Sequence, residues 1–340
     1  MKAWEIQGGF GLDKLTLTER PDPRPGPGQV LIRVRAVALN YRDLLTVGGQ
    51  YNPKQKLPLI PCSDGAGEVV AVGDGVTRVK PGDRVCGIFA QRWIAGEPSR
   101  EKLRSTLGGP FDGMLAELVV LHEEGVVHVP PHLTDEEAAT LPCAGLTAWS
   151  ALVTVGGLTA GDTVLLQGTG GVSIFALQFA RALGVRPILT SSSDEKLERA
   201  RELGADGLIN YKQVTDWGAK ARELTGRTGG DTGVDLVVEV GGAGTLDQSL
   251  KAVRMGGTVC LIGNLAGLNA QISLAAIFMQ QVRVQGILVG HREGFEAMNR
   301  AIALHRLRPV VDRVFPFEEA RAAFALMGAG GHFGKVCLRV

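Results

Sequence analysis

The chain has 340 residues, 45% of them hydrophobic and 21% charged, which suits a folded protein with two cores and excludes a disordered one. Lys and Arg number 36 against 35 Asp and Glu, and a net charge of +1 offers no basic face to nucleic acid or to an anionic membrane.

Met1–Glu5 leads into a polar stretch, so no secretion leader is expected, and no apolar run nears the roughly 20 residues of a membrane helix. Pro21–Gly28 reads as turn or linker. Val30–Val37 alternates apolar and polar residues as a half-buried strand does, and Gly67–Val72 and Arg84–Phe89 are shorter strands between Gly-Asp and Pro-Gly-Asp turns. The charged segment Trp93–Thr106 is a surface loop or a border of a substrate cleft. From about Val127 the rhythm changes. Thr134 and Glu137 carry the spacing of a capping box, and strands then alternate with helices. Strands are expected at Thr163–Gln167, Pro187–Ser191, Leu208–Asn210, Val234–Val240, Thr258–Ile262 and Val282–Val289. Helices are expected near Val172–Leu183, Asp194–Leu203, Trp217–Leu224 and Thr245–Val253. This alternation indicates an α/β unit with a parallel sheet covered on both faces.

The turn after Thr163–Gln167 reads Gly168-Thr169-Gly170-Gly171-Val172-Ser173, a dinucleotide fingerprint with serine in place of its last glycine. Glycines there let the backbone approach a pyrophosphate, and the helix N-terminus faces its charge. The next strand ends in Ser191-Ser192-Ser193. Ser191 stands 20 residues after Gly171, where an NAD-binding fold carries an acid for the ribose 2′-OH. A carboxylate would repel a 2′-phosphate; hydroxyls can bond it, and Lys196 and Tyr211 could reach it. The expected cofactor is therefore NADP(H) in preference to NAD(H). The competing reading makes Ser192 a helix cap with Glu195 and leaves Lys196 solvated.

Several short segments, in order, resemble the medium-chain dehydrogenase/reductase superfamily, and within it the zinc-less quinone oxidoreductase-like branch. They are Ala38–Asp43, Asp64–Val70, Pro81–Val85, Ala138–Pro142, Gly145–Ala148, the Gly168 turn, Leu203–Asp206 and Phe333–Val336. The resemblance implies a GroES-like β-rich catalytic domain (1–126), a Rossmann doubly wound parallel-sheet domain (127–290), and a C-terminal segment (291–340) completing the catalytic domain. It places Thr147 beside the nicotinamide, with Gly263, Asn264 and Leu288 lining its far side. It implies a homodimer or homotetramer paired through Val282–Val289, and an apolar edge strand favours pairing on its own account.

Zinc alcohol dehydrogenases of the superfamily carry cysteine, histidine and cysteine at positions that fall here on Asn40, Ser63 and Cys143. One thiol, an amide and a hydroxyl make a poor zinc set, so no metal is expected. The cysteines (Cys62, Cys86, Cys143, Cys260, Cys337) are odd in number and scattered, the pattern of reduced thiols in a cytoplasmic protein. The six histidines show no ligand spacing and suit surface or cap roles.

Without a Lewis acid, conjugate reduction of quinones, enones or related activated carbonyls is the chemistry expected, with hydrogen bonds stabilising the enolate or phenolate oxygen. Asn40 can give an amide N–H, and Tyr41 or Tyr51 a phenolic proton; the resemblance puts Asn40 and Tyr51 beside the nicotinamide and favours them over Tyr41, and a partly buried anchor is the other reading of Tyr51. Arg42 and Asp43 read as a structural ion pair. A zinc-type alcohol dehydrogenase and a non-catalytic NADPH-binding sensor or scaffold are the alternatives.

Overall fold

The computed structural model describes residues 1–228 and 232–340. In chain order its strands are β1 (Lys2–Ile6), β2 (Leu15–Glu19), β3 (Gln29–Ala38), β4 (Asp64–Val72), β5 (Arg84–Gly87), β6 (Leu118–His122) and β7 (Val126–His128). Then come β8 (Thr163–Gln167), β9 (Arg186–Ser191), β10 (Gly207–Asn210), β11 (Val234–Glu239), β12 (Val253–Leu261) and β13 (Arg283–Gly286). The C-terminal pair is β14 (Val311–Pro316) and β15 (Lys335–Arg339). They divide between two compact units: Met1–Leu146 with Val289–Val340, and Thr147–Leu288.

The first unit is built on β3, where Val30, Ile32, Val34 and Ala36 face the core while Arg33 and Arg35 face water. Its sheet runs β14-β15-β3-β4-β5-β7, with β6 also paired to β3. β15 lies antiparallel to β3, Cys337 opposite Ala38, so the C-terminal segment completes this sheet. Residues 127–146 also belong here, although the sequence boundary at 127 assigns them to the second domain. The cause is specific pairing. β7 bonds to β5, and the helix Asp135–Ala139 is held by Arg84 on Asp135 and Arg339 on Glu136, each at 2.6 Å. That helix starts at Thr134 with the expected capping box to Glu137.

The second unit is a parallel sheet in the order β10-β9-β8-β11-β12-β13. Every residue of β8 and β11 is buried, as strands covered on both faces must be. Connections wind outward in both directions from the β8/β11 pair, so the strand order reverses there, the place where such sheets bind ligands. Two expected boundaries shift. The helix Leu246–Ala252 ends earlier than expected and Val253 already begins β12, bonded to Val234. β13 is shorter than Val282–Val289: its pairing with β12 runs only from Arg283 to Gly286, opposite Thr258–Leu261, and Val289 at φ 56 has left the extended region. No helix of the described residues is long and apolar enough to cross a membrane.

Candidate active site

At the end of β8 the chain turns at Gly168, whose φ of 71 is left-handed and favours glycine. Gly170 then caps the helix Gly171–Ala182. A Cβ built on Gly170 would meet nothing within 4 Å, so no protein atom requires glycine there; the space before the helix N-terminus is open. Thr169, Gly171 and Val172 complete the turn, and the unpaired N–H groups of the first helical turn suit an anion. Ser173, in the place of the third glycine, is buried and donates from Oγ to Gln167 O at 2.6 Å. It fastens helix to strand, and the turn fits a dinucleotide pyrophosphate.

Beside this turn lies a network with no counterpart among the sequence expectations. Glu239, at the end of β11 and fully buried, accepts from Gln167 Nε2 (2.7 Å), Gly241 N (2.8 Å), Gly242 N (2.9 Å) and Thr245 Oγ1 (2.6 Å), and from Ser249 Oγ. Gln167 Oε1 in turn accepts from Val240 N and Gly241 N. Gly263 follows β12 so closely that a Cβ would lie 2.2 Å from Val240 O, which accounts for the glycine. Asn264 beside it is half-buried and Leu288 is exposed. Thr147, buried, sits in the short helix Leu146–Trp149 with π-helical turns on either side, a distortion often found at functional sites.

At the end of β9, Ser191 is buried and its Oγ accepts from Ser193 N at 3.3 Å; Tyr211 N bonds Ser191 O at 3.1 Å. Ser192 and Lys196 are half-exposed, and Tyr211 is exposed. The helix Asp194–Glu202 is capped by Ser193, which accepts from Lys196 N, and not by Ser192 paired with Glu195. Ser192 is thereby released from capping. Asp194, the acid nearest the serines, has both oxygens engaged, by Asn210 Nδ2 at 2.7 Å and Gln213 Nε2 at 2.9 Å.

In the first unit, Asn40 precedes the helix Tyr41–Val47, and its backbone N–H donates to Asp43 at 2.8 Å. Arg42 pairs with Asp43 and donates to the carbonyls of Leu107, Gly108 and Gly109, a structural role as expected. Tyr51 lies with its ring 4.7 Å from the Arg42 guanidinium and is 44% exposed, so Arg42 anchors the ring while leaving part of the side chain open. Lys335 is buried, and its Nζ donates to Leu39 O and Asn40 Oδ1, each at 2.5 Å. An ammonium only donates, so the amide must turn Oδ1 toward it and Nδ2 away. Asn40 Nδ2 is buried without a hydrogen-bond partner; it lies near enough to Asp64 to lower that carboxyl, but not in bonding geometry. Burial nevertheless pushes Asp64 up to about 6, against the pull of Lys335 and of Ser63.

This donor set does not suit zinc. Asn40 Oδ1 already holds a cation, and Ser63 Oγ donates to Asp64 Oδ1 at 2.6 Å. Burial, with the Asp64 carboxylate adding to it, pushes the Cys143 thiol up, and it is the one thiol among the three positions. Cys143 contributes its backbone N–H instead, to Asp64 Oδ2 at 2.9 Å. Among the histidines, His122 and His291 are helix caps, accepting from Glu124 N and Gly294 N. The charged segment after Trp93 closes on itself: Ser99 caps a short helix, and Lys102 Nζ bonds Ala95 O and Glu97 O. Glu239 and the role of the Lys335 charge were what sequence reasoning missed. Their signal was a buried charge at the end of an apolar strand, Lys335 opening β15 and Glu239 closing β11.

Residues 26–131 match the family described as the alcohol dehydrogenase GroES-like domain, and residues 171–304 match the zinc-binding dehydrogenase family. A zinc-type alcohol dehydrogenase-like protein of Schizosaccharomyces pombe is 40% identical over 337 residues, covering 97% of this chain and 96% of the relative. A crystal structure of an NAD-dependent alcohol dehydrogenase superposes with a TM-score of 0.90 at 34% identity, covering all of both chains. The structure of the 2-octenoyl-CoA carboxylase reductase CinF, in complex with NADP and 2-octenoyl-CoA, superposes with a TM-score of 0.86 at 28% identity, covering 96% of this chain and 82% of that one.

Proposed function

The chain belongs to the medium-chain dehydrogenase/reductase superfamily of oxidoreductases, and on that premise we propose that it is a zinc-independent NADPH enzyme reducing enones, quinones or related activated carbonyls. The observation that carries this reading is the Asn40 amide, whose Nδ2 is buried without a hydrogen-bond partner while its Oδ1 is taken by Lys335, beside a donor set that does not suit zinc. Bound NADPH would supply the hydride to the electron-poor carbon conjugated with the carbonyl. Negative charge then collects on the carbonyl oxygen, and Asn40 Nδ2 is the donor we assign to stabilise it. Tyr51, partly open and anchored by Arg42, carries a phenolic O–H and is the candidate proton source. The likeness to a reductase carrying an α,β-unsaturated thioester supports this substrate class.

The choice of NADPH rests on Ser192 just after β9, on Lys196 in the first turn of the following helix, and on the engagement of Asp194 by two amides. Relatives are divided, one solved structure being NAD-dependent and another an NADP complex. Titration of the protein with NADPH and NADH tests it: tighter NADPH binding is expected, and tighter NADH binding refutes it. Absorbance of NADPH across a panel of enones, enals and quinones then ranks the substrates.

Association as a homodimer or dimer of dimers through β13 belongs to the same reading. β13 is an unpaired sheet edge, and Leu274, Phe278, Met279 and Val284 nearby are exposed. Light scattering of wild type and Val284→Lys tests it, a monomeric wild type being the refuting result. Free cysteines throughout, four of them buried, support a reducing, cytoplasmic setting.

A further inference from the structure

We infer that Lys335 is the cation of this active site, a positioning residue that orients and polarises the Asn40 amide as the donor to substrate oxygen. This deepens the reading that Asn40 is that donor and rests on it. Lys335 enters on β15, some three hundred residues from Asn40 in sequence, and its side chain is drawn into the first unit. A buried ammonium is costly unless its protons are engaged and opposite charge is near. Here Leu39 O and Asn40 Oδ1 take two protons, and the carboxylates of Asp43 and Asp64 act on the same charge.

Two consequences follow for Asn40. The amide cannot flip, because its NH2 would then face the ammonium, so Nδ2 is held on the side away from Lys335. The ammonium also draws electron density toward Oδ1, which leaves the Nδ2 protons more positive and stronger as donors. The unpartnered state of Nδ2 is what a site awaiting a substrate oxygen requires. A zinc ion would act on that oxygen directly; Lys335 acts through one amide.

The test compares Lys335→Met, Asn40→Ala and the double variant in NADPH oxidation with 2-cyclohexenone, alongside NADPH affinity and thermal melting. Each single variant should lose about 100-fold in kcat. NADPH affinity should be unchanged, and the double variant should be no slower than either single one, because both remove the same interaction. A Lys335→Met enzyme with wild-type kcat overturns the inference, as do losses that multiply in the double variant. If Lys335→Met does not fold, Lys335→Gln replaces it: a donor without charge, in which a loss of kcat supports the inference and unchanged kcat overturns it. Failure of the underlying reading looks different. Asn40→Ala then turns over at the wild-type rate, or the wild type oxidises NADPH with no enone or quinone, and the inference falls with it.

Discussion

Gln167 Nε2 donates to Glu239 Oε2 at 2.7 Å, joining the ends of the two strands between which the order of the sheet reverses. Gln167 directly precedes the Gly168 turn, and Glu239 holds Gly241 N and Gly242 N, so one contact fixes both loops at the switch point. Gln167→Leu leaves the buried carboxylate a donor short, at a cost of about 1–3 kcal/mol. Denaturant unfolding should show that loss, and cofactor titration should show NADPH binding weakened several-fold. Unchanged affinity would mean that the loops hold their shape without the contact.

The glycines of the turn separate strain from ligand contact. Gly168→Ala forces a Cβ into φ 71 and should destabilise the protein by about 1–2 kcal/mol. Gly170→Val puts its side chain into open space, so melting should be close to wild type while NADPH affinity falls at least 10-fold. Equal affinity for NADPH in Gly170→Val and wild type would remove the pyrophosphate from that space.

Tyr51→Phe deletes a hydroxyl and keeps the ring over Arg42. The stacking survives and only the hydroxyl's hydrogen bond with Arg42 is lost, so kcat with an enone should fall with little change in melting temperature. An unchanged kcat takes Tyr51 out of the chemistry and leaves it as the anchor.

Acid stability has a local source in Asp235, at the start of β11. Burial alone would push this carboxyl up, but hydrogen bonds from Arg227 and Arg254 and from Thr163 N outweigh it and hold it below the usual range. A carboxyl lowered on folding stabilises the protein above its unfolded pKa of about 3.9, and that stabilisation disappears as pH falls through the folded value. Asp235→Asn should therefore melt lower than wild type at pH 7, and the difference should shrink below about pH 4. A difference independent of pH would assign the effect to packing.

Local signals were legible in the sequence. Thr163–Gln167 and Trp217–Leu224 form the expected strand and helix, because apolar runs and turn residues act within a few positions. The capping box at Thr134 and the phosphate turn at Gly168 are of the same kind. What depended on distant partners was not legible. Residues 127–146 join the first unit through Arg84 and Arg339, and Ser193 displaces Ser192 as a cap by a shift of one residue. Lys335 was visible as part of a family motif, but the role of its charge appears only when β15 carries it to Asn40. Glu239 likewise needs Gln167, Thr245 and Ser249 beside it before a charge at the end of an apolar strand makes sense.

The central claim is conjugate reduction by NADPH without a metal, with the Lys335–Asn40 pair in the place of zinc. NADPH oxidation with 2-cyclohexenone, measured before and after exhaustive chelation and again with added zinc, tests it most directly. The account predicts one rate in all three conditions and no bound zinc in the purified protein. Activity lost on chelation and restored by zinc would contradict it.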